Sequence, residues 1–176
     1  MTSDLRHVFN FSGVIQGPAG PAFSGAFARA VASNWQISPI VKIKSATFFT
    51  VTSGVDRALS ATPNQTPDQI GNPYPDNQSV KNWITASAFS LPALGSYGTL
   101  GRNNLKGPGT FQIDAALSRT FQIREKQTVQ LRAEAFNILN HANFNVPILA
   151  LNSGSFGQIQ SALNPRILQF ALKYVF

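Results

Sequence analysis

The sequence predicts an all-β fold, namely a segment of an antiparallel transmembrane β-barrel with about five strands. Apolar and polar residues alternate in several stretches, and short and long connections alternate between those stretches. Charged residues make up only 12% of the 176 residues, about half the usual share, whereas hydrophobic residues at 43% are close to average. A sheet that turns one face toward hydrocarbon needs few charged residues, so it explains this composition.

The first two predicted strands span residues 4–15 and about 31–51, and the Gly- and Pro-rich residues 17–29 form the turn between them. Because Pro39 cannot donate a hydrogen bond to a neighbouring strand, we expect a bulge or a local break there. The apolar face of the second strand carries Trp35, Ile37, Pro39, Val41 and Ile43.

Three further strands are predicted at residues 110–121, 128–138 and 166–176, with a short charged turn at 124–127 between the first two. Arg119 falls on the apolar face of its strand, so we expect it near the strand end, where its guanidinium can snorkel to water. The apolar face of the last strand carries Leu168, Phe170, Leu172, Tyr174 and Phe176.

Two long segments interrupt the strand pattern, residues 52–108 and residues 140–165. The first is rich in Pro, Gly, Asn and Asp and is longer than loops of compact domains usually are. Long external loops and short periplasmic turns are typical of outer-membrane barrels. We therefore predict two extracellular loops, 52–108 and 140–165, and place the end of the last strand at the periplasm.

The predicted strands are too few for a closed barrel, since about eight is the working minimum. An open sheet in lipid leaves unpaired backbone groups at both edges, which a bilayer does not tolerate. Residues 1–6 lack the apolar region of a signal peptide. We therefore expect the chain to be the C-terminal fragment of a longer exported protein.

Several classes of function find little support in the sequence. The chain has no Cys, and its two His, His7 and His141, lack the spacing of metal ligands. The net charge is +7, but the basic residues are scattered rather than clustered as in nucleic-acid-binding proteins. The glycines of residues 95–101 do not have the spacing of a phosphate-binding loop. We expect neither a cofactor nor a metal, no nucleic-acid partner and no enzymatic activity.

Several motifs, in order along the chain, resemble a known family. They are Arg6–Gly13, Asn34–Ser38, Gly71–Pro73, Trp83 with Ala88 and Phe89, Leu100–Gly109, Leu131–His141, Phe156–Ile159 and Pro165–Phe176. With them the chain resembles the C-terminal β-barrel portion of TonB-dependent outer-membrane receptors, in particular the Oar-like group that carries a carboxypeptidase-regulatory-like domain. Residues 45–51 depart from the family pattern because they lack its Gly and Pro.

The resemblance implies that residues 1–176 are the last part of a 22-stranded barrel around an N-terminal plug that this chain does not contain. It implies location in the cell outer membrane and energised uptake of a large or scarce solute through the TonB complex, which contacts the plug. The other implied partners are outer-membrane lipid and the barrel-assembly machinery. The solute itself stays unknown.

The resemblance also implies roles for individual side chains. Leu168, Phe170, Leu172, Tyr174 and Phe176 resemble the terminal pattern that the barrel-assembly machinery binds, and strand addition to an exposed edge is a physical route to such binding. Trp35, Tyr174 and Phe176 are expected in the periplasmic aromatic belt. Asp114, Arg132 and Glu134 are expected to face the lumen as a charge network that holds strand register, rather than to do acid–base chemistry.

One alternative belongs to another class: a soluble secreted β-sandwich that binds carbohydrate or mediates adhesion. Low charge and long polar loops are compatible with it. The outer surface of the sheet distinguishes the two, because a sandwich buries the apolar faces of its strands between two sheets.

Overall fold

The computed structural model describes residues 5–18, 25, 33–62 and 64–176. Apart from strands, these ranges contain one turn of 3-10 helix, Ala86–Ala88, and none of their helices is long and apolar enough to cross a membrane. In chain order the strands are β1 (Val8–Ser12), β2 (Ile15–Gln16), β3 (Trp35–Lys44), β4 (Phe48–Phe49), β5 (Asp68–Gln69), β6 (Phe89–Ser90), β7 (Leu105–Lys106), β8 (Thr110–Arg124), β9 (Gln127–Phe136) and β10 (Ile167–Val175).

The chain divides into two compact units, which we call the sheet unit and the loop unit. The sheet unit comprises Val8–Ile43, Phe111–Ala142 and Asn164–Phe176. The loop unit comprises Met1–His7, Lys44–Thr110 and Asn143–Leu163.

The long strands form one six-stranded sheet in the order β1-β3-β8-β9-β10, with β2 also paired to β3. β8 pairs antiparallel with β9, and β9 pairs antiparallel with β10. Strands of nine to fifteen residues are long enough to cross an outer membrane at the usual tilt. The prediction of an all-β antiparallel fold is confirmed for the described residues.

β1 and β2 lie consecutively along β3 and act as one interrupted strand. β2 continues the pairing with Ile15 opposite Ile37, and the Gly13 N–H donates to the Pro39 carbonyl at 3.1 Å. The predicted break at Pro39 is wrong for β3, which runs through Pro39 without interruption. The interruption lies between β1 and β2, opposite Pro39. Pro39 has a carbonyl that accepts a hydrogen bond from this neighbouring chain, but it has no N–H to donate one.

β3 ends at Lys44, so the prediction of a strand continuing to residue 51 is wrong. The start of that predicted strand, residues 31–32, lies outside the described residues. Beyond Lys44 the chain enters the loop unit, where Ala46, Phe49 and Val51 are buried. Their apolar spacing comes from the packing of that unit and not from a membrane-crossing strand.

The pairing register aligns apolar residues on one face of the sheet, because residues opposite each other in neighbouring strands lie on the same side. Leu117 lies opposite Ala133, which lies opposite Phe170. The apolar face carries Ala115, Leu117, Arg119, Phe121, Val129, Leu131, Ala133, Ala135, Leu168, Phe170, Leu172 and Tyr174. The polar face carries Ala116, Ser118, Thr120, Gln122, Thr128, Gln130, Arg132, Glu134, Gln169, Ala171, Lys173 and Val175.

The apolar face of β10 is open. The side chains of Phe170 and Leu172 are 82% and 69% exposed, and every residue of β10 is exposed. A soluble sandwich would cover this face with a second sheet. The open apolar face therefore argues against the sandwich alternative and suits a surface that meets lipid.

The loop unit has a hydrophobic core of its own. Phe89 and Phe156 meet edge to face with ring centroids 5.8 Å apart, which joins the two predicted loops. The parallel bridge between Thr52 and Ala150 joins them again through the backbone. The buried core residues are Phe49, Val51, Ile84, Ala88, Phe89, Leu100 and Leu105.

Short ladders complete the loop unit. β4 pairs antiparallel with β7, and β5 pairs antiparallel with β6, each over two residues. Segments this short leave no period-two pattern in the sequence. The segments 52–108 and 140–165 therefore look irregular in sequence although they pack together around one core.

Candidate functional site

Aromatic side chains gather at the end of the sheet that carries the β8–β9 turn. Phe121 and Tyr174 both lie beside Val129 in the register, close to that turn. The rings of Tyr174 and Phe176 are 5.9 Å apart. Trp35 begins β3 and belongs to the same end, because the Arg119 guanidinium lies over both the Trp35 and Phe121 rings.

Arg119 is not at the end of its strand, so the prediction that it snorkels to water is wrong. It lies well before the end of β8 at Arg124 and is only 6% exposed. Its guanidinium is 4.4 Å from the Phe121 ring centroid and 5.5 Å from that of Trp35. The negative faces of the rings stabilise the cation on an otherwise apolar surface, which replaces contact with bulk water.

The three residues predicted for an aromatic belt therefore lie at one end of the sheet. Trp35 contacts Arg119, whereas Tyr174 contacts Phe176. Aromatic rings at one level of a barrel are typical of a membrane interface. The structure shows that these three residues lie at the same end of the sheet. Their role in an aromatic belt stays a prediction.

Asp114 is the centre of a polar cluster on the other face of the sheet. Its carboxylate accepts hydrogen bonds from Lys42 Nζ at 2.9 Å, Gln112 Nε2 at 2.6 Å and the Asn137 N–H at 2.9 Å. The Asp114 side chain is 6% exposed, and that of Lys42 is 41% exposed. The cluster ties β3 and β8 to the residue that follows β9.

Arg132 and Glu134 form a separate ion pair on the same face, 2.6 Å apart. Both residues belong to β9, so their pair adds nothing to the register between strands. Of the three residues predicted to form a register-holding network, only Asp114 links different strands. Among the described residues, no ion pair links Asp114 to Arg132 or to Glu134.

Asn137 shapes the exit from β9, and sequence reasoning missed it. Its backbone has a positive φ of 50°, a conformation that Asn tolerates better than most residues. Its side-chain amide donates to the His141 carbonyl at 2.9 Å and accepts from the His141 N–H at 3.0 Å. An Asn immediately after a strand was the available signal, because Asn side chains replace backbone partners in turns.

The first tip of the loop unit, residues 56–61, folds around the Asp56 carboxylate. That carboxylate accepts hydrogen bonds from the Ser60 N–H at 3.0 Å, the Ala61 N–H at 2.7 Å and the Gln65 side chain. Desolvation raises the pKa of Asp56, but the hydrogen bonds outweigh it and lower the pKa below the ordinary value. Leu59 has a positive φ of 58°, which a leucine adopts only when its surroundings enforce it.

The second tip, residues 93–97, is fastened to the first through Arg57. The Arg57 carbonyl accepts from the Gly95 N–H at 2.7 Å, and Arg57 Nε donates to the Pro92 carbonyl at 2.9 Å. Gln65 Oε1 in turn accepts from the Arg57 N–H at 2.8 Å. The two tips therefore form one hydrogen-bonded surface.

Three large side chains project from these tips. Leu59, Leu94 and Tyr97 are 69%, 66% and 68% exposed. Sequence reasoning treated residues 95–101 as a plain loop, because nothing in their spacing reveals the partners in residues 56–68. The partner segments are distant in sequence, and only the fold brings them together.

The two histidines take structural positions. The His141 ring packs edge to face on Phe111 at 5.8 Å, and the His7 N–H donates to Ser45 Oγ at 3.1 Å. Among the described residues, no three His, Asp or Glu side chains come together as metal ligands.

Comparison with known proteins identifies the family. A family model described as "Outer membrane beta barrel domain" matches residues 1–169. No curated protein and no solved structure gives a significant match. The match covers nearly the whole chain and agrees with the antiparallel sheet and its open apolar face. The chain therefore belongs to the outer membrane beta barrel domain family and is a protein of the outer membrane.

Proposed function

We propose that the chain is part of a TonB-dependent outer-membrane transporter that takes up a large or scarce solute and has no catalytic role. The observation that carries the proposal is the loop unit, in which the long connections between membrane strands fold around one hydrophobic core. Loops held rigid by a scaffold are typical binding elements. A barrel whose only task is anchoring needs no such unit.

The sheet edges support a larger barrel. In the described sheet, β1 and β10 are the outermost strands. An unpaired strand edge in hydrocarbon costs several kcal/mol for each unsatisfied backbone group, so membrane sheets close on themselves. We propose that further strands complete a barrel of about 22 strands, a size that in outer-membrane transporters encloses a plug.

The charged side chains of the strands support a structural role. The Asp114 carboxylate is paired with Lys42, and Glu134 is paired with Arg132. A general base needs a free carboxylate whose pKa is tuned to its task. Pairing of both carboxylates favours strand linkage or lumen lining over acid–base chemistry.

The test of the transport proposal is its dependence on energy coupling. Cells carrying the chromosomal gene that encodes this chain are compared with cells deleted for the gene or for tonB, during growth on single scarce nutrients. The proposal predicts one nutrient whose uptake is lost in both deletions and on collapse of the proton gradient. Uptake that requires the gene but continues without TonB would contradict it.

A second proposed partner is the barrel-assembly machinery, which would bind β10 by strand addition. Phe176 is the most exposed of the large hydrophobic side chains among the described residues at 89%, and its ring contacts Tyr174. Phe176→Ala is expected to lower the amount of heat-modifiable barrel in outer membranes several-fold. Leu163→Ala, at an exposed position outside β10, is the control. Equal amounts of folded barrel in both variants would rule out this role for Phe176.

A further inference from the structure

We propose that the two tips of the loop unit bind a neutral oligosaccharide, with a sugar ring stacked on the side chain of Tyr97. The proposal rests on the uptake function proposed above and names the class of solute. The binding surface is defined by Leu59, Leu94 and Tyr97, and we call it the tip surface. Its features are a rigid backbone, an exposed ring and neutral hydrogen-bonding groups.

The backbone beneath Tyr97 is fixed from both sides. A Cβ on Gly98 would lie 2.1 Å from the Thr66 carbonyl oxygen, so the chain packs tightly against residue 66. The Thr99 N–H donates to Asp68 Oδ1 at 2.8 Å, and Ser96 Oγ donates to the Ala93 carbonyl at 2.7 Å. The Tyr97 ring is thus presented on an ordered support, which lowers the entropy lost on binding.

The first tip is fixed as firmly. Leu59 is held at a positive φ while its side chain is 69% exposed, although an exposed leucine gains nothing from the surrounding core. A non-glycine residue rarely adopts this conformation, and here the hydrogen bonds from Ser60 and Ala61 to the Asp56 carboxylate hold the turn in it. Strain that positions an exposed side chain points to a binding surface rather than to packing.

Charged groups of the two tips make hydrogen bonds within the fold. The Asp56 carboxylate is bonded to Ser60 and Ala61, Asp68 to Thr99, and Arg57 Nε to the Pro92 carbonyl. Recognition of an anionic ligand relies on charge-assisted bonds from Arg or Lys. Exposed neutral polar side chains lie within a few residues of the tips in sequence, namely Ser60, Thr62, Asn64 and Thr99.

A sugar ring matches this combination. Its C–H face is apolar and flat enough to lie on an aromatic ring, and its hydroxyl groups both donate and accept hydrogen bonds. Tyrosine on a Ser- and Gly-rich loop is also the composition that antibody loops use for polar ligands, since the ring gives large contact area at low entropy cost. A flexible apolar peptide would contact the leucines but would make no use of the exposed hydroxyl and amide groups.

The test measures binding to protein extracted from outer membranes in mild detergent. The probes are maltoheptaose, cellohexaose, xylohexaose and laminarihexaose, with hexagalacturonate, a ferric catecholate chelate and a random peptide library as competitors. The proposal predicts binding of at least one neutral oligosaccharide. Tyr97→Ala is expected to weaken it about tenfold or more, whereas Tyr97→Phe keeps the ring and stays within about threefold of wild type.

Ile70→Ala is the matched control, because Ile70 is an exposed side chain of the loop unit at 65% and lies outside both tips. Its affinity is expected to equal that of the wild type, and heat modifiability is expected to show that all variants fold. Equal affinity in Tyr97→Ala and wild type would overturn the proposal. So would binding of only the hexagalacturonate, the ferric chelate or peptides.

The outcome separates this inference from the transport proposal. TonB-dependent uptake of the ferric chelate without any oligosaccharide binding would refute the sugar site and leave the transporter intact. Tyr97-dependent oligosaccharide binding by a protein whose uptake ignores TonB would support the site and refute energised transport.

Discussion

Some glycines of the loop unit leave no room for a side chain, and Gly157 is one of them. Its φ is +76°, and a Cβ there would lie 2.0 Å from the Ile84 carbonyl oxygen. Ile84 is one of the most deeply buried core residues, so the contact cannot relax cheaply. The backbone at Gly157 therefore holds the segment 140–165 against the core.

We predict that Gly157→Ala destabilises the loop unit by about 1–3 kcal/mol through steric overlap and an unfavourable φ. Hydrogen exchange of the loop-unit amides measures the loss. Gly154→Ala is the control, since open space surrounds that position. Similar exchange in the two variants would mean that the close approach to Ile84 is not a constraint.

Asp114 and Glu134 provide a second comparison between single residues. Asp114→Ala leaves Lys42 and the Asn137 N–H without their acceptor, and we predict a loss of about 2–3 kcal/mol of unfolding free energy. Glu134→Ala breaks a half-exposed pair within β9 and is expected to cost about 1 kcal/mol or less. Guanidinium unfolding in lipid vesicles gives both values. A larger loss for Glu134→Ala would contradict the assignment of strand linkage to Asp114.

The pKa of Asp56 gives a prediction about acid. Because this pKa lies below the ordinary value of 3.8, the carboxylate stabilises the tip fully above that value and loses its contribution as the pH falls below it. Protection of the Ser60 and Ala61 amides, corrected for intrinsic exchange, should therefore fall as the pH drops below about 4. Asp56→Asn should lack this acid transition. Protection that stays constant in acid for the wild type would contradict the role of the carboxylate.

The sequence shows which residues carry charge on the strands but not how they pair. Alternation alone placed Asp114, Arg132 and Glu134 on the polar face, and the register agrees for Arg132 and Glu134. It did not show that Arg132 and Glu134 pair within one strand, because that depends on side-chain conformation. It misplaced Arg119 because the shielding rings of Trp35 and Phe121 come together only in the folded sheet.

At the scale of elements, we expect the two faces of β10 to meet different surroundings. Phe170 lies near the middle of the strand on the apolar face, and Ala171 lies beside it on the polar face. Arginine on a lipid-facing position near the bilayer midplane costs about 2–4 kcal/mol, whereas a lumen position tolerates it. Arginine is therefore expected to be harmful at position 170 and tolerated at position 171.

We predict that Phe170→Arg sharply lowers the amount of heat-modifiable protein in outer membranes, while Ala171→Arg leaves it close to wild type. Immunoblots of boiled and unboiled membrane samples make the comparison. If Ala171→Arg proves the more damaging change, the two faces of the sheet have been assigned the wrong way round.

The elements themselves differ in how far sequence predicts them. The strands at 110–121, 128–138 and 166–176 correspond to β8, β9 and β10 within a few residues, because a sheet with one apolar and one polar face imposes a period of two. The loop unit escaped prediction as a packed unit, because its ladders are two residues long and its core is assembled from segments far apart in sequence.

At the scale of the whole molecule, the chain contains a membrane sheet and a loop unit that has a hydrophobic core of its own. The family match and the open apolar face agree on an outer-membrane barrel. In the proposed transporter, the folded connections would offer a surface to the solute. A barrel of this kind requires the apolar face of the sheet to meet lipid.

That orientation can be measured directly, because the chain has no cysteine and each introduced one is unique. Single cysteines at residues 168–175 of β10 are spin-labelled, and their collisions with oxygen and with a water-soluble nickel chelate are compared in lipid vesicles. The account predicts period-two alternation, with oxygen contact highest at Leu168, Phe170, Leu172 and Tyr174. Accessibility without that alternation, or with nickel contact highest at those four positions, would contradict it.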